Sequence, residues 1–313
     1  MELPLVSVVI VTWNRKDDLL RAVRSVQEQS YQHVEIVVVD NASTDGTVEA
    51  LRQGYPSVRL VLLDRNAGAA GGRNPGIVAS RGDIVFLLDS DASLAHDTLG
   101  MIVDKLRAEP DVGAIACKIV NAYTGKLDRY AGWSFSEKDR RDQDVEFLAY
   151  RFSEGGCAIR RQVLERVGLF WDRLFFGREG EELSLRIWDC GYKVLYSPRA
   201  IVFHHVPPDR IVPTAEREYT DVRNALYIYL VRYPWWMLIW FVPIRIGASL
   251  VRGMRRHHAR QTLRALLQVA RESPVLWSER KPISNESAKR YLKVMREHGP
   301  LTWDLASWLR HKA

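Results

Sequence analysis

The stretch DIVFLLDSDAS, Asp83–Ser93, decides how this chain is read. Ile84 to Leu88 is a short, nearly continuous apolar run, as in a parallel strand covered on both faces. It ends in Asp89, Ser90 and Asp91. Alternation along an extended chain sends Asp89 and Asp91 to one side and Ser90 to the other. Two neighbouring hard oxygen ligands at a strand tip suit Mg2+ or Mn2+, with the metal bridging a diphosphate. The same residues also admit a polar strand end that caps the next helix. A third reading is an aspartyl-phosphate enzyme. That class carries its motif near the N-terminus, with Thr or Val two residues after the second Asp; here Ser93 stands there, behind three earlier strands.

Upstream, Leu5–Val11, Glu35–Val39 and Val58–Leu63 are apolar runs of the same kind. Between the first two, Lys16–Gln29 sets Leu19, Leu20, Val23 and Val26 at helical spacing. Ser43-Thr44-Asp45 opens a second helix with capping chemistry. Helices alternating with such strands make right-handed βαβ units and a doubly wound α/β sheet. Ligands then bind beyond the carboxyl ends of the strands, where Thr12, Asn14, Arg15, Asp40, Asn41 and Asp89–Asp91 gather. A dinucleotide fold would use Asp40 for a ribose, but it needs Gly-x-Gly-x-x-Gly straight after the first strand. That strand runs instead into Thr12-Trp13-Asn14-Arg15, and the glycines come later, in NAGAAGGRNPG, Asn66–Gly76. There Gly68, Gly71, Gly72 and Gly76 surround Arg73, a pattern open to close backbone approach and forked phosphate or base contact, or to simple helix packing. Downstream, Gly155–Ile159, Lys193–Tyr196 and Ala200–Phe203 read as strands, and Arg161–Val167, Glu179–Asp189 and Ala215–Val231 as helices. Residues 121–150 are charged and poorly periodic, a loop or hairpin.

The 313 residues are 47% hydrophobic and 27% charged, which excludes disorder, collagen and coiled coil. Three scattered cysteines without a Cys-x-x-Cys pair argue against a disulfide framework or a cysteine zinc site, and suit a reducing cytosol. The start, MELPLVSVVIVTWNRKDD, lacks the basic n-region and cleavage site of a signal peptide. Charge is uneven. Residues 1–209 hold 26 Lys+Arg against 30 Asp+Glu, and residues 210–313 hold 19 against 8. A basic tail suits nucleic acid or an anionic membrane. Six of the ten tryptophans lie between Trp235 and Trp308, beside arginines, which favours a membrane interface and no nucleic acid. The uncharged run YPWWMLIWFVPI, Tyr233–Ile244, has 12 residues. A spanning helix needs about 20, and Pro234 and Pro243 argue against one continuous helix. Arg245, Arg252, Arg255 and Arg256 share a helical face, with Gly247, Leu250 and Val251 largely away from it. The expectation is a helix in the headgroup layer with its arginines toward anionic lipid; the alternative is a lid packed on the catalytic domain.

The stretches VSVVIVTWNR, VVVDNASTDGT, RNAGAAGGRNPGI and DIVFLLDSDA, followed by EGGCAIRR and the segment through GREGEELSLRIWDCGY to VFHH, stand in one order. Over roughly residues 4–235 they resemble the family 2 inverting glycosyltransferases, with the GT-A nucleotide-sugar fold. The likeness is strongest to bacterial members that build surface polysaccharides, rhamnosyl- and galactofuranosyltransferase types among them. It implies a mixed sheet flanked by helices, with a C-terminal helical, amphipathic extension. Residues 1–120 would be the nucleotide-sugar half, 121–232 the acceptor-side half of the same domain, and 233–313 the basic, Trp-rich extension. By resemblance, Thr12, Asn14, Asp40 and Arg73 hold base and ribose, with Ser90 beside the nucleotide. Asp89-Ser90-Asp91 becomes the family's Asp-x-Asp, Asp91 being the more direct metal ligand. His204 falls where some relatives place a metal-binding histidine; a structural strand-end histidine is the alternative. Relatives carry an acidic pair ahead of a helix, and the second acid is commonly the base. Counting back from Arg186, Glu179 takes the first place and Gly180 the second, so Glu179 and Glu181 are the candidates for the base. The function implied is metal-dependent inverting transfer, with Mn2+ or Mg2+. The donor would be a UDP- or dTDP-linked sugar and the acceptor a saccharide or lipid-linked molecule, at the inner face of the plasma membrane. Two rivals are another metal-dependent nucleotide enzyme, a nucleotidyltransferase or phosphatase, and a non-catalytic relative that scaffolds a membrane assembly.

Overall fold

Val6–Thr12 (β1), Val34–Asp40 (β2), Arg59–Leu62 (β3) and Ile84–Asp89 (β4) form the parallel half of one nine-stranded sheet, in the order β3-β2-β1-β4. A computed structural model of the chain describes residues 3–128, 135–207 and 214–299. The pleat divides the apolar residues between two faces. Val6, Val8 and Ile10 share a core with Leu19, Ala22, Val23 and Val26 of α1 (Lys16–Gln27). Val9 shares the opposite core with Ala70 and Ile77 of α3 (Gly68–Ala79). Registers pair Thr12 with Asp40 and Val11 with Asp89, so the carboxyl ends of three strands make one rim.

The helix expected at Ser43 is α2, Thr47–Gly54, and starts four residues later. Gly46, with φ 83, turns the chain, and Asp45 accepts from the N–H groups of Lys16 (3.0 Å) and Thr47 (3.2 Å). Glycines in α3 serve packing: a Cβ at Gly76 would stand 2.5 Å from Val9 Cγ1.

Ala92–Leu94 (β5), Val112–Asn121 (β6), Phe147–Leu148 (β7), Gly156–Arg160 (β8) and Lys193–His204 (β9) complete the sheet. The order continues β4-β8-β6-β9-β5, with β7 on β9. β8 is antiparallel to both β4 and β6, so the sheet is mixed. β9 is one strand where the sequence suggests two. Its register against β6 slips between Cys117 and Lys118, which pair with Ser197 and Ile201. The bulge takes up Pro198, which has no N–H for a ladder. β5, β6 and α4 (Thr98–Ala108) lie outside the sequence expectations. The stretch 121–150 holds a bridge, Val120 with Leu127, then α5 (Glu137–Arg141) and β7; residues 129–134 lie outside the described ones. The expected boundary at 120/121 falls on the last residues of β6.

The remaining helices are α6 (Arg161–Val167), α7 (Glu179–Asp189), α8 (Ala215–Arg232), α9 (Trp235–Arg255), α10 (Ala259–Ser278) and α11 (Asn285–His298). Two expectations are corrected here. α9 is continuous through Pro243, and among the described helices it alone is long and apolar enough to cross a membrane by length and composition. Two of the four arginines, Arg245 and Arg252, also face inward, while Arg255 and Arg256 are exposed. Arg245 is buried and bonds Asp221 of α8 at 2.6 Å; Arg252 bonds Asp221 at 2.7 Å and Glu218 at 2.9 Å. The buried carboxylate of Glu218 needs a cation, and α9 supplies it. What the first half of α9 turns outward is apolar: Trp235, Ile239 and Trp240 are 62%, 65% and 67% exposed.

Candidate active site

A cleft of about 590 Å3 opens beyond the carboxyl ends of β1 and β4. One wall is built by β4, β5 and β9. Ser90 is buried while Asp89 and Asp91 turn out, as alternation requires. Because β5 pairs Ala92 with His204, the end of β9 comes beside Asp91. His204 Nε2 lies 3.7 Å from Asp91 Oδ1, and its Nδ1 lies 2.7 Å from the fully buried Asp128 carboxylate. Arg15 donates to the other oxygen of Asp91 at 2.6 Å. Burial opposes charge on His204, but its bonds to Asp128 and Asp91 outweigh this and push it up to about 10. Burial likewise raises Asp91, yet the His204 bond and the Arg15 charge hold it below the usual carboxylate range. The result is an Asp–His–Asp chain.

These residues fit a divalent cation. Asp91 Oδ1 and His204 Nε2 face each other across 3.7 Å, and Asp128 orients the imidazole from behind, as carboxylates do for metal-binding histidines. Among the described residues no three such side chains converge into a ready cage. Asp89 stands apart and accepts from Arg73 at 2.9 Å. Substrate oxygens would complete the coordination sphere.

Arg73 is buried between the walls, 2.9 Å from Asp89 and 3.8 Å from Glu179. Its guanidinium thus sits in the middle of the cleft, between Asp89 and Glu179. Opposite stands the start of α7. Glu179 is 2% exposed and its Oε1 meets no donor. Burial first, and then the charge of Glu154, push it up to about 7. Glu181 is held between Arg178 (2.6 Å) and Arg151 (3.1 Å) and does not line the cleft. Glu182 is fully buried and bonds Arg186 and Arg232, which ties α7 to α8. Arg178 also donates to Asp221 at 2.7 Å.

At the β1–β2 end, Thr12 Oγ1 and Asp40 Oδ1 are buried without a partner, on directly paired residues. Leaving such an acceptor unmet costs about 1–3 kcal/mol. Asp40 Oδ2 accepts from the Ser43 N–H at 3.0 Å. Asn14, at φ 52, accepts from the Thr44 N–H at 2.7 Å and so braces that turn. The cleft therefore gathers Arg73, Asp89, Asp91, Glu179 and His204, while Thr12, Asn14, Asp40, Ser90 and Glu181 stand outside its lining. Sequence reasoning passes over Asp128, Glu154, Arg178 and Asp221 as cleft residues. The only local signal among them is Glu154, an acid directly before Gly155-Gly156.

The model for glycosyl transferase family 2 matches residues 7–168. The chain belongs to that family. Succinoglycan biosynthesis protein ExoO of Rhizobium meliloti is 40% identical to this glycosyltransferase over 239 residues, 72% of this chain and 67% of that protein. Among solved structures, the mannosyltransferase PcManGT of Pyrobaculum calidifontis, in complex with GDP-Man and Mn2+, superposes with a TM-score of 0.56 at 22% identity, covering 95% of this chain and 81% of that one. GalNAc-T7, crystallised with UDP, GalNAc and Mn2+, gives a TM-score of 0.59 at 21% identity, covering 74% of this chain and 49% of that one. At these identities the structures speak for the fold. The glycosyltransferase has the expected GT-A architecture, a mixed sheet between helices with further helices at its C-terminal end.

Proposed function

We propose that this glycosyltransferase is metal-dependent and inverting, and moves a sugar from a UDP- or dTDP-linked donor to a saccharide or lipid-linked acceptor in bacterial polysaccharide or glycoconjugate synthesis. The observation that carries this is the cleft itself. It sets the Asp91–His204 pair on one wall, glutamates on the other, and Arg73 between them. The relative named for succinoglycan biosynthesis and the neighbours holding nucleotide or nucleotide sugar with Mn2+ support it.

Asp91 and His204 would hold Mn2+ or Mg2+, which when bound neutralises the oxygens of the leaving diphosphate. Arg15 and Arg73 add positive charge on the same side. Asp40, with an oxygen awaiting a donor, suits the ring N–H of uracil or thymine, with Thr12 beside it. A carboxylate on the α7 side takes the proton of the acceptor hydroxyl as it attacks the anomeric carbon from the face opposite the diphosphate. The apolar outer face of α9 rests on the inner face of the plasma membrane, where a lipid-linked acceptor is met.

The test is a melting experiment with UDP, dTDP or GDP, each with and without Mn2+, followed by a nucleotide-sugar panel. UDP or dTDP should raise the midpoint only with Mn2+, and one donor should yield its nucleoside diphosphate. Inorganic phosphate release would mean a phosphatase; no shift and no release would mean a scaffold.

A further inference from the structure

Gly180 is a glycine because another chain segment occupies its side-chain space. A Cβ there would stand 2.5 Å from the Phe152 carbonyl oxygen and 2.7 Å from Glu154 Oε1. That same Oε1 accepts a hydrogen bond from the Gly180 N–H. Glu154 thus reaches the first turn of α7 from the segment that leads into β8. Next to it, Gly155 lies so close to β4 that a Cβ would meet Asp89 Oδ2 at 2.5 Å. The segment therefore runs between the Asp89 wall and the α7 wall, and places the Glu154 carboxylate between them.

The ion pairs single out the same residue. Among the described carboxylates that line the cleft, Asp18, Asp89, Asp91, Asp128, Glu179 and Asp221 each have an Arg or His nitrogen within 4.0 Å. Glu154 has none, and it is half-buried where Glu179 is 2% exposed. A carboxylate paired with a guanidinium is a poor proton acceptor, and one that lines the cleft with only 2% of its surface exposed offers an acceptor little access. Glu154 escapes both limits while one backbone N–H fixes its position.

We propose that Glu154 is the general base of the transfer, delivered from the segment before β8 into the space that Gly180 leaves open. The inference rests on the transfer reading above. The acceptor O–H gives its proton to the Glu154 carboxylate while its oxygen forms the bond to the anomeric carbon. The bond from that carbon to the diphosphate oxygen breaks, and its electron pair leaves with the nucleoside diphosphate.

The experiment uses the full chain, Mn2+ and whichever UDP-, dTDP- or GDP-sugar the wild type cleaves, with water or sodium azide as the acceptor. Water must lose a proton to attack; azide carries none. Glu154→Gln should slow diphosphate release to water by about a hundredfold or more, with affinity for UDP and Mn2+ kept within about threefold. Azide should bring release back to within about tenfold of the wild type and yield the inverted glycosyl azide. Glu154→Asp, which keeps the carboxylate, should lie between the two. Release to water within about threefold of the wild type would overturn the proposal. So would equal loss with water and azide at unchanged nucleotide affinity. A wild type that cleaves no donor is a different result: it removes the transfer reading itself, and this proposal with it.

Discussion

Glu179 lines the cleft with a carboxyl group only 2% exposed, and no donor meets its Oε1. Burial, followed by the charge of Glu154, puts it at about 7 in the folded chain, against 4.5 as its ordinary value. The folded state therefore binds a proton that the unfolded state has released. The stabilisation is complete below about pH 4.5 and is lost as pH rises through about 7, an effect on the order of 3 kcal/mol. Glu179→Gln keeps the shape without the charge. Urea midpoints from pH 4.5 to 8 should fall less steeply for that variant, and matching slopes would remove the assignment. At the other wall, Asp128→Asn should weaken Mn2+ affinity about 10- to 100-fold by loosening the imidazole it orients, as read by calorimetry with UDP present. Asp89 and Asp91 are legible in the sequence because a strand and its tip are local. The partner of His204 lies 76 residues away and the carboxylate under Gly180 lies 26 away, so only the folded chain shows either contact.

Elements follow the same division. β1, β2 and β4 are buried on both faces over most of their length, so each carries a nearly continuous apolar run that can be read directly. β9 is not, because its pairing with β6 slips across Pro198. α9 misleads in another way. Its arginines lie on one face as their spacing indicates, but α8 presents Glu218 and Asp221 to that face, and the buried charge decides which way the helix turns. Glu181 between Arg151 and Arg178 obeys the same rule. Glu181→Gln leaves two arginines facing a neutral amide, and should cost about 3–5 kcal/mol of stability, seen as a lower urea midpoint with nucleotide affinity retained by the folded fraction. α3 rests on β1 so closely that Gly76→Ala should cost about 1–3 kcal/mol through overpacking, since a Cβ would stand 2.5 Å from Val9 Cγ1 and 2.7 Å from Val39 Cγ2.

For the molecule as a whole, the excess positive charge of the last third is only partly available to a membrane. Arg245 and Arg252 are spent on internal carboxylates, and the α9 surface offers indole and aliphatic side chains instead. Liposome binding should therefore depend on insertion more than on charge. The double substitution Ile239→Glu with Trp240→Glu should lower binding to anionic vesicles about tenfold or more, while most wild-type binding survives about 0.5 M salt. Sedimentation with vesicles measures both; binding abolished by salt alone would restore the arginine-led picture.

Asp221 joins the two ends of this arrangement. One oxygen takes Arg178, at the cleft, and the other takes Arg245 and Arg252, on the helix with the exposed tryptophans. Three cations thus share one anion, and moving any of them redistributes its field over the other two. Thermodynamic linkage makes the traffic reciprocal: the factor by which vesicles change donor affinity must equal the factor by which donor changes vesicle affinity. Titrating each ligand with the other absent and then saturating would close that cycle, and its four corners give the coupling free energy between lipid surface and sugar nucleotide in a single number.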